Sequence, residues 1–231
     1  REFLLKFKQD RHRWIQWLFE AKRRFGLVVL NYVVTSNHIH LIVKDDSEQI
    51  IPQAVGLIAG RTAQEYNQRK KRKGAFWEDR YHATAIESGE HLLQCLVYVD
   101  LNMVRAGVVD HPSQWPHGGY NEIQAPRRKN VIIAYDRLRE LAGFKNYDAF
   151  ASAHHKWVQA ALEEIDNTRQ SHWTESVAVG SKPFIQGIKN AMGVMAKGRL
   201  VQPTEGAFEL REAQSAYNAI FGSENRKIGP K

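Results

Sequence analysis

The sequence predicts an α+β fold, a small antiparallel sheet backed by helices. Three observations carry this. Between Asp10 and Phe25 the apolar residues Trp14, Leu18, Ala21 and Phe25 recur at spacings of four, three and four, which is one face of a helix. Leu27 to Val34 is an apolar run rich in β-branched residues and reads as a buried strand. Thr35-Ser36-Asn37 then marks a tight turn or bulge, and His38 to Lys44 reads as a second strand, expected to lie antiparallel to the first.

The remaining elements follow in order. Gly26 stands where a helix C-cap glycine belongs. Asp45-Asp46-Ser47 offers N-cap side chains for a helix from about Glu48 to Arg72, with Ile51, Val55, Ile58 and Thr62 expected on its apolar face. That helix ends in Arg69-Lys70-Lys71-Arg72-Lys73, closed by Gly74. An aromatic and charged segment, Phe76 to Tyr81, follows, and His82 to Glu87 alternates weakly like a third strand. Ser88 can cap a helix from about Glu90 to Ala106, ended by Gly107. Pro112, Trp115, Pro116, Gly118 and Gly119 mark a loop. The texture changes near Ala125, which sets an expected boundary between residues 1–125 and a mainly helical accessory region, 126–231. There, helical patterns occupy 135–142, 147–165 and 182–192, with strand-like pieces at 199–202 and 208–211. The last ten residues are polar and expected to be loose.

Composition narrows the function classes. The chain has 231 residues, 43% of them hydrophobic and 25% charged, as in ordinary globular proteins. Its single cysteine, Cys95, excludes an internal disulfide and a cysteine-based zinc cluster, and fits a reducing cytoplasm. No apolar run is long enough to span a membrane. The net charge of +8 points to a polyanionic partner, nucleic acid first.

The residues that could do chemistry lie on the second strand and on the helix from Glu90. His38 and His40 share one strand face, about 7 Å apart by strand rise. Two such imidazoles can share a metal ion, although surface or core roles are common for a His-x-His pair. On the helix, Leu92, Leu96, Val99 and Met103 form an apolar stripe. Tyr98 and Asn102 lie on the opposite side, one turn apart and flanked by Gln94 and Arg105. If that face meets the histidines, two imidazoles, an amide oxygen and a phenol surround one space. A hard divalent ion accepts such a shell, and a phenol can attack a phosphate held there. Tyr66 is the chief competitor among the other tyrosines, being on a predicted helix near basic residues. His82, His91, His154 and His155 read as structural or surface residues, and Asp100 is unexplained apart from a partner later in the chain.

Several motifs resemble one family. Asn37-His38-Ile39-His40 resembles the HUH motif of single-tyrosine transposases. Tyr98-Val99-Asp100-Leu101-Asn102-Met103-Val104-Arg105-Ala106-Gly107 resembles the Tyr-x-x-Leu-Asn-Pro-Val-Arg-Ala-Gly block of REP-associated tyrosine transposases, with Met103 in place of proline. Phe76 to Tyr81 is similar to the family's aromatic-basic segment, and Ser113-Gln114-Trp115-Pro116 with Tyr120 to its tail. The resemblance spans about residues 1–125. It implies a ferredoxin-like antiparallel sheet with helices on one face, the HUH endonuclease fold. It implies Mg²⁺ or Mn²⁺ held by His38, His40 and Asn102, with Tyr98 as the nucleophile. The implied activity is cleavage and transfer of single-stranded or hairpin DNA through a 5′-phosphotyrosine linkage, with a homodimer compatible.

Arg69, Lys70, Lys71, Arg72, Lys73, Arg80 and Arg105 are candidate phosphate contacts. Trp77 and Tyr81 can stack on unpaired bases or pack in the core. The family also opens with a further strand that is not found after Arg1 and is expected upstream if present. Without it, the competing expectation is a relative that binds DNA hairpins and regulates or marks them without cleavage.

Overall fold

The structure, a computed structural model, describes residues 4–164 and 170–213. The first helix is Lys8–Phe25 (α1), with Trp14, Leu18 and Ala21 buried as its periodicity requires. It ends at Gly26 in the left-handed region (φ 72°), whose N–H donates to the Lys22 carbonyl. The strands Val28–Val34 (β1) and Ile39–Lys44 (β2) pair antiparallel, with Val33 opposite His40 and Asn31 opposite Ile42. Thr35 builds the connection: its N–H donates to the His38 carbonyl at 3.0 Å, and its Oγ1 receives the His38 N–H at 3.0 Å. The polar turn signal read from Thr35-Ser36-Asn37 therefore acts through one threonine.

The next helix, Ile50–Lys70 (α2), is shorter than expected at both ends. Its N-cap is Gln49, with no side-chain cap from Asp45, Asp46 or Ser47; Asp46 instead pairs with Lys44. At the other end Lys71 takes the left-handed cap position (φ 50°), ahead of Gly74, and Arg72 N–H closes onto the Asn67 carbonyl. The buried face is Ala54, Ile58 and Thr62. Ile51 and Val55 lie beside it, half-buried.

The helix expected from Glu90 to Ala106 forms as Glu90–Asp100 (α3) and Asn102–Arg105 (α4), interrupted at Leu101 (φ −80°, ψ 1°). The 101 N–H still reaches the Val97 carbonyl, and the 101 carbonyl still accepts from Arg105, so Tyr98 and Asn102 stay one turn apart. After a short 3₁₀ turn at Pro112–Gln114, the loop lies along the free side of β1. Trp115 Nε1 donates to the Val34 carbonyl at 3.1 Å, Val34 N–H to His117, and Gly119 N–H to Tyr32 at 2.8 Å. His117 is buried there, and burial, with Arg11 and Lys8 nearby, lowers its pKa to about 4.

The expected boundary at residue 125 falls just after Tyr120–Gln124 (α5), inside a single contact unit formed by residues 1–81 and 88–169. The fully buried Glu122 explains the continuity. Its Oε1 accepts the N–H groups of Ile132 and Ile133 at 2.7 and 2.8 Å. Ile133 bridges to Val29, and Lys22 Nζ donates to the Val131 and Ile132 carbonyls. Tyr135–Leu141 (α6) and Tyr147–Glu163 (α7) follow, close to the predicted helices; positions 165–169 lie outside the described residues.

A second unit consists of residues 82–87 and 170–231, described through residue 213. Ala85–Ile86 (β3) pairs in parallel with Ala178–Gly180 (β4). Arg199–Thr204 (β5) and Ala207–Glu212 (β6) form a hairpin, and the sheet order is β3-β4-β6-β5. His172–Glu175 (α8) precedes β4, and Lys182–Met192 (α9) packs on the sheet through Ile185 against Ala178 and Leu210. The region after 125 thus carries three strands besides its helices. The expected strand at 82–87 exists, and its sheet partner is β4. The last ten residues lie outside the described region.

Gly119 is the tightest point of the first unit. A Cβ there would stand 2.3 Å from Asn31 Oδ1, and Asn31 is fully buried. Gly119→Ala is expected to destabilise the protein by about 1–3 kcal/mol through overpacking, readable as a lowered urea midpoint.

Candidate nucleic-acid processing site

The candidate site is assembled on β2 and α3. β2 begins one residue later than expected, so His38 immediately precedes it, and extended-chain alternation puts His38 and His40 on one side. Their ring centroids are 4.9 Å apart at 82°. His40 lies against Tyr98, centroids 5.8 Å apart and planes at 81°. The structure thus brings together the two histidines and the tyrosine singled out in the sequence. Asn102 starts α4 one turn beyond Tyr98 and is half-buried.

The environment of each group limits its chemistry. His38 Nδ1 lies 2.8 Å from Asn37 Oδ1 and 3.0 Å from Thr35 Oγ1. An imidazole donating from Nδ1 carries its lone pair on Nε2, the usual arrangement of a metal-binding histidine. Among the described residues no three His, Cys, Asp or Glu side chains gather as a ligand set. Two imidazoles with an amide oxygen would make a mixed shell that suits a hard divalent ion with exchangeable positions.

Tyr98 is only 5% exposed. The Arg105 guanidinium covers its ring at 4.2 Å and also donates to the Tyr98 carbonyl. The competing tyrosines are differently placed. Tyr32 is fully buried, and burial pushes its phenol well up. Tyr120 bonds His155 Nδ1 at 3.1 Å, and burial pushes its phenol up to about 12. Tyr66 lies under Arg69 and beside Phe76 on α2, with no histidine ring against it among the described contacts. Burial also raises the Cys95 thiol, which makes it a poor nucleophile.

The candidate DNA-contacting residues divide into engaged and exposed groups. Arg69 pairs with the buried Asp10, Lys70 lies over Phe7, and Arg72 donates to the Ala75 carbonyl. Lys71, Lys73 and Arg80 are exposed, and Tyr81 is more than half exposed. Trp77 packs on α2, its Nε1 donating to the Ala59 carbonyl at 3.0 Å. Arg105 is taken up by Tyr98.

Sequence reasoning missed the support beneath the site. Asp100 is buried, and its Oδ1 accepts from Asn31 Nδ2 at 2.9 Å. Its Oδ2 lies 2.9 Å from Nε2 of the fully buried His154 on α7. Gln124 Nε2 approaches the other nitrogen of His154, also at 2.9 Å. The only signal in the sequence was an aspartate on the apolar side of a helix. Its partner does lie in the second half of the chain, but at a histidine read as structural or surface.

Residues 1–102 match the family model described as "Transposase IS200 like". Over that stretch the chain is similar to the IS200-like transposases. No curated protein and no solved structure matches the chain. No helix among the described residues is long and apolar enough to cross a membrane.

The buried support gives a stability prediction. His154→Ala should cost about 3–5 kcal/mol, because it leaves the Asp100 carboxylate buried with one partner gone. His154→Gln, which keeps an N–H donor in reach, should cost less. Urea unfolding of the three proteins checks the order.

Proposed function

We propose that the chain is a metal-dependent transposase that cuts and rejoins single-stranded DNA, on hairpin-flanked substrates, through a 5′-phosphotyrosine intermediate. The observation that carries this reading is the contact of His40 with Tyr98 beside His38. It puts a nucleophile next to a pair of imidazoles within the region matched to the transposase family. His38, His40 and Asn102 would hold Mg²⁺ or Mn²⁺, which when bound polarises the scissile phosphate.

The chain's own groups do the rest. Tyr98 Oη attacks phosphorus, the phenolic proton leaves, and the P–O3′ bond breaks, with the departing oxygen ending as a 3′-OH. The phosphodiester energy is kept in the tyrosine ester, so another 3′-OH can reverse the step onto a new strand without ATP. Arg105, over the Tyr98 ring, holds the ring in place and adds positive charge beside the attacked phosphate. The exposed Lys71, Lys73 and Arg80 offer phosphate contacts along the strand, and Tyr81 a ring for an unpaired base.

The ferredoxin-like HUH sheet belongs to this reading. Among the described residues β2 has one strand neighbour, β1, and the fold would set further strands beside this pair. A homodimer is compatible with it.

A second reading has its own observation. Tyr98 is nearly enclosed, which suits a relative that binds hairpin DNA without cutting it. One experiment separates the two. Purified protein is incubated with 5′-labelled and 3′-labelled hairpin DNA and Mg²⁺ or Mn²⁺, then resolved under denaturing conditions. The cleaving reading expects a covalent adduct that carries the 3′ label, because the strand downstream of the cut stays on the tyrosine. Tyr98→Phe should lose the adduct to background while hairpin binding stays within about twofold, since only the nucleophile is removed. An adduct that persists in Tyr98→Phe overturns the nucleophile assignment. Salt-sensitive hairpin binding with no adduct under either ion favours the non-cleaving reading.

A further inference from the structure

The second unit carries a feature outside the family match. Between α9 and β5 the chain makes a 3₁₀ turn, Gly193–Ala196, whose tip is Val194 and Met195. Val194 is 91% exposed and Met195 71%, and Leu200 at the start of β5 is more than half exposed. Single exposed apolar residues are common and need no explanation, but adjacent ones at the tip of an anchored turn are less so.

The turn is held from several sides. Gly193 (φ 54°) ends α9, Ala196 is buried, and Gly198 (φ 81°) accepts the Ala213 N–H at 2.8 Å. Lys197 N–H donates to the Val194 carbonyl at 3.2 Å, and the Arg199 guanidinium donates to the Met195 carbonyl. The backbone is therefore preorganised while the two apolar side chains face water. Lys189, Lys197 and Arg199 line the same open concavity, and none of its lining residues is acidic. Arg199 also pairs with Glu212 at 3.1 Å, which fixes its orientation.

We propose that this turn is a wedge for double-stranded DNA, with Val194 and Met195 entering a base step and Lys189 and Lys197 meeting the flanking phosphates. The charge calls for a polyanion, and the proposal rests on the DNA-acting reading above for which polyanion it is. Apolar side chains of this kind enter base steps of duplex DNA from the minor groove. Single strands are instead gripped by aromatic rings, and the tip has none. Interfacial membrane helices insert Trp, Phe or Leu from a longer apolar face than this turn offers.

The test uses the full chain. Val194→Ser with Met195→Ser removes the wedge, and Lys189→Gln with Lys197→Gln removes the phosphate contacts; all four side chains lie outside the site proposed for cleavage. Binding is measured by fluorescence anisotropy across a salt series, on a hairpin and on a single strand of equal length. The serine pair should weaken hairpin binding about tenfold with an unchanged salt slope. The glutamine pair should reduce the slope of log K against log salt by roughly 2. Single-strand binding should change less than twofold in the serine pair.

Hairpin binding by the serine pair equal to wild type overturns the wedge. So does an equal loss on hairpin and single strand. Two further outcomes overturn it by naming another partner: loss of binding to anionic phospholipid vesicles only, or loss of self-association in sedimentation only. If the wild type binds no DNA, the DNA-acting reading fails as well. If it binds hairpins and forms the Tyr98 adduct while the serine pair is inert, only the wedge fails.

Discussion

The first unit depends on how one buried carboxylate is satisfied. Asp100 lies where a charge is costly unless every oxygen finds a donor. Asn31 on β1 donates to Oδ1, and the His154 ring on α7 pairs with Oδ2, its Nε2 standing 2.9 Å away. Asn31 is itself fixed by the Tyr32 N–H at 2.8 Å and is backed by Gly119, where no side chain fits. The three polar groups tie a strand, the α3 helix and a helix more than fifty residues downstream into one arrangement. A helix turns 100° per residue, so Asp100 and Tyr98 stand on opposite flanks of α3. Locking the rotation of the helix at Asp100 locks where Tyr98 points, which is at His40.

That dependence explains what could be read from the sequence. The α1 helix, the β1–β2 pair and the His38/His40 face were legible because each is set by local periodicity and by a turn of three polar residues. Tyr98 and Asn102 were legible only as neighbours on one helix. Their shared face was expected to meet the histidines, and Tyr98 lies against His40, while Arg105, seven residues ahead, covers its ring. Helical period predicts who shares a face, not what lies on it. The α2 helix shows the same limit at its ends: three good capping residues precede it and none caps, because Asp46 is paired with Lys44. The left-handed position falls to Lys71 while Gly74 waits three residues on.

His154 was the least legible residue. Nothing within its own helix distinguishes a buried histidine facing a carboxylate from one facing water. The information lies in the pair, and the partners are 54 positions apart in the sequence. The chain also stays attached across the boundary expected near Ala125. The polar stretch Pro126-Arg127-Arg128-Lys129 reads as a linker or surface loop, and Ile132 and Ile133 beyond it donate two N–H groups to the buried Glu122. The composition of that stretch reports its exposure, and the hydrogen bonds on either side of it report its attachment.

The chain's path adds a constraint that neither unit shows alone. Residues 82–87 leave the first unit between the basic, aromatic segment ending at Tyr81 and the helix that carries Tyr98. In the second unit they supply β3, whose register with β4 is short, and Glu87 secures it by accepting from the Ser181 N–H and hydroxyl. A two-residue strand has too few ladder bonds to persist without such side-chain support. The second unit's sheet is therefore completed by a segment from the middle of the chain, three residues before α3 begins. A fragment ending at residue 125 would keep this segment and lose the strand it pairs with. The second unit is joined to the first by covalent continuity on both sides of residues 82–87.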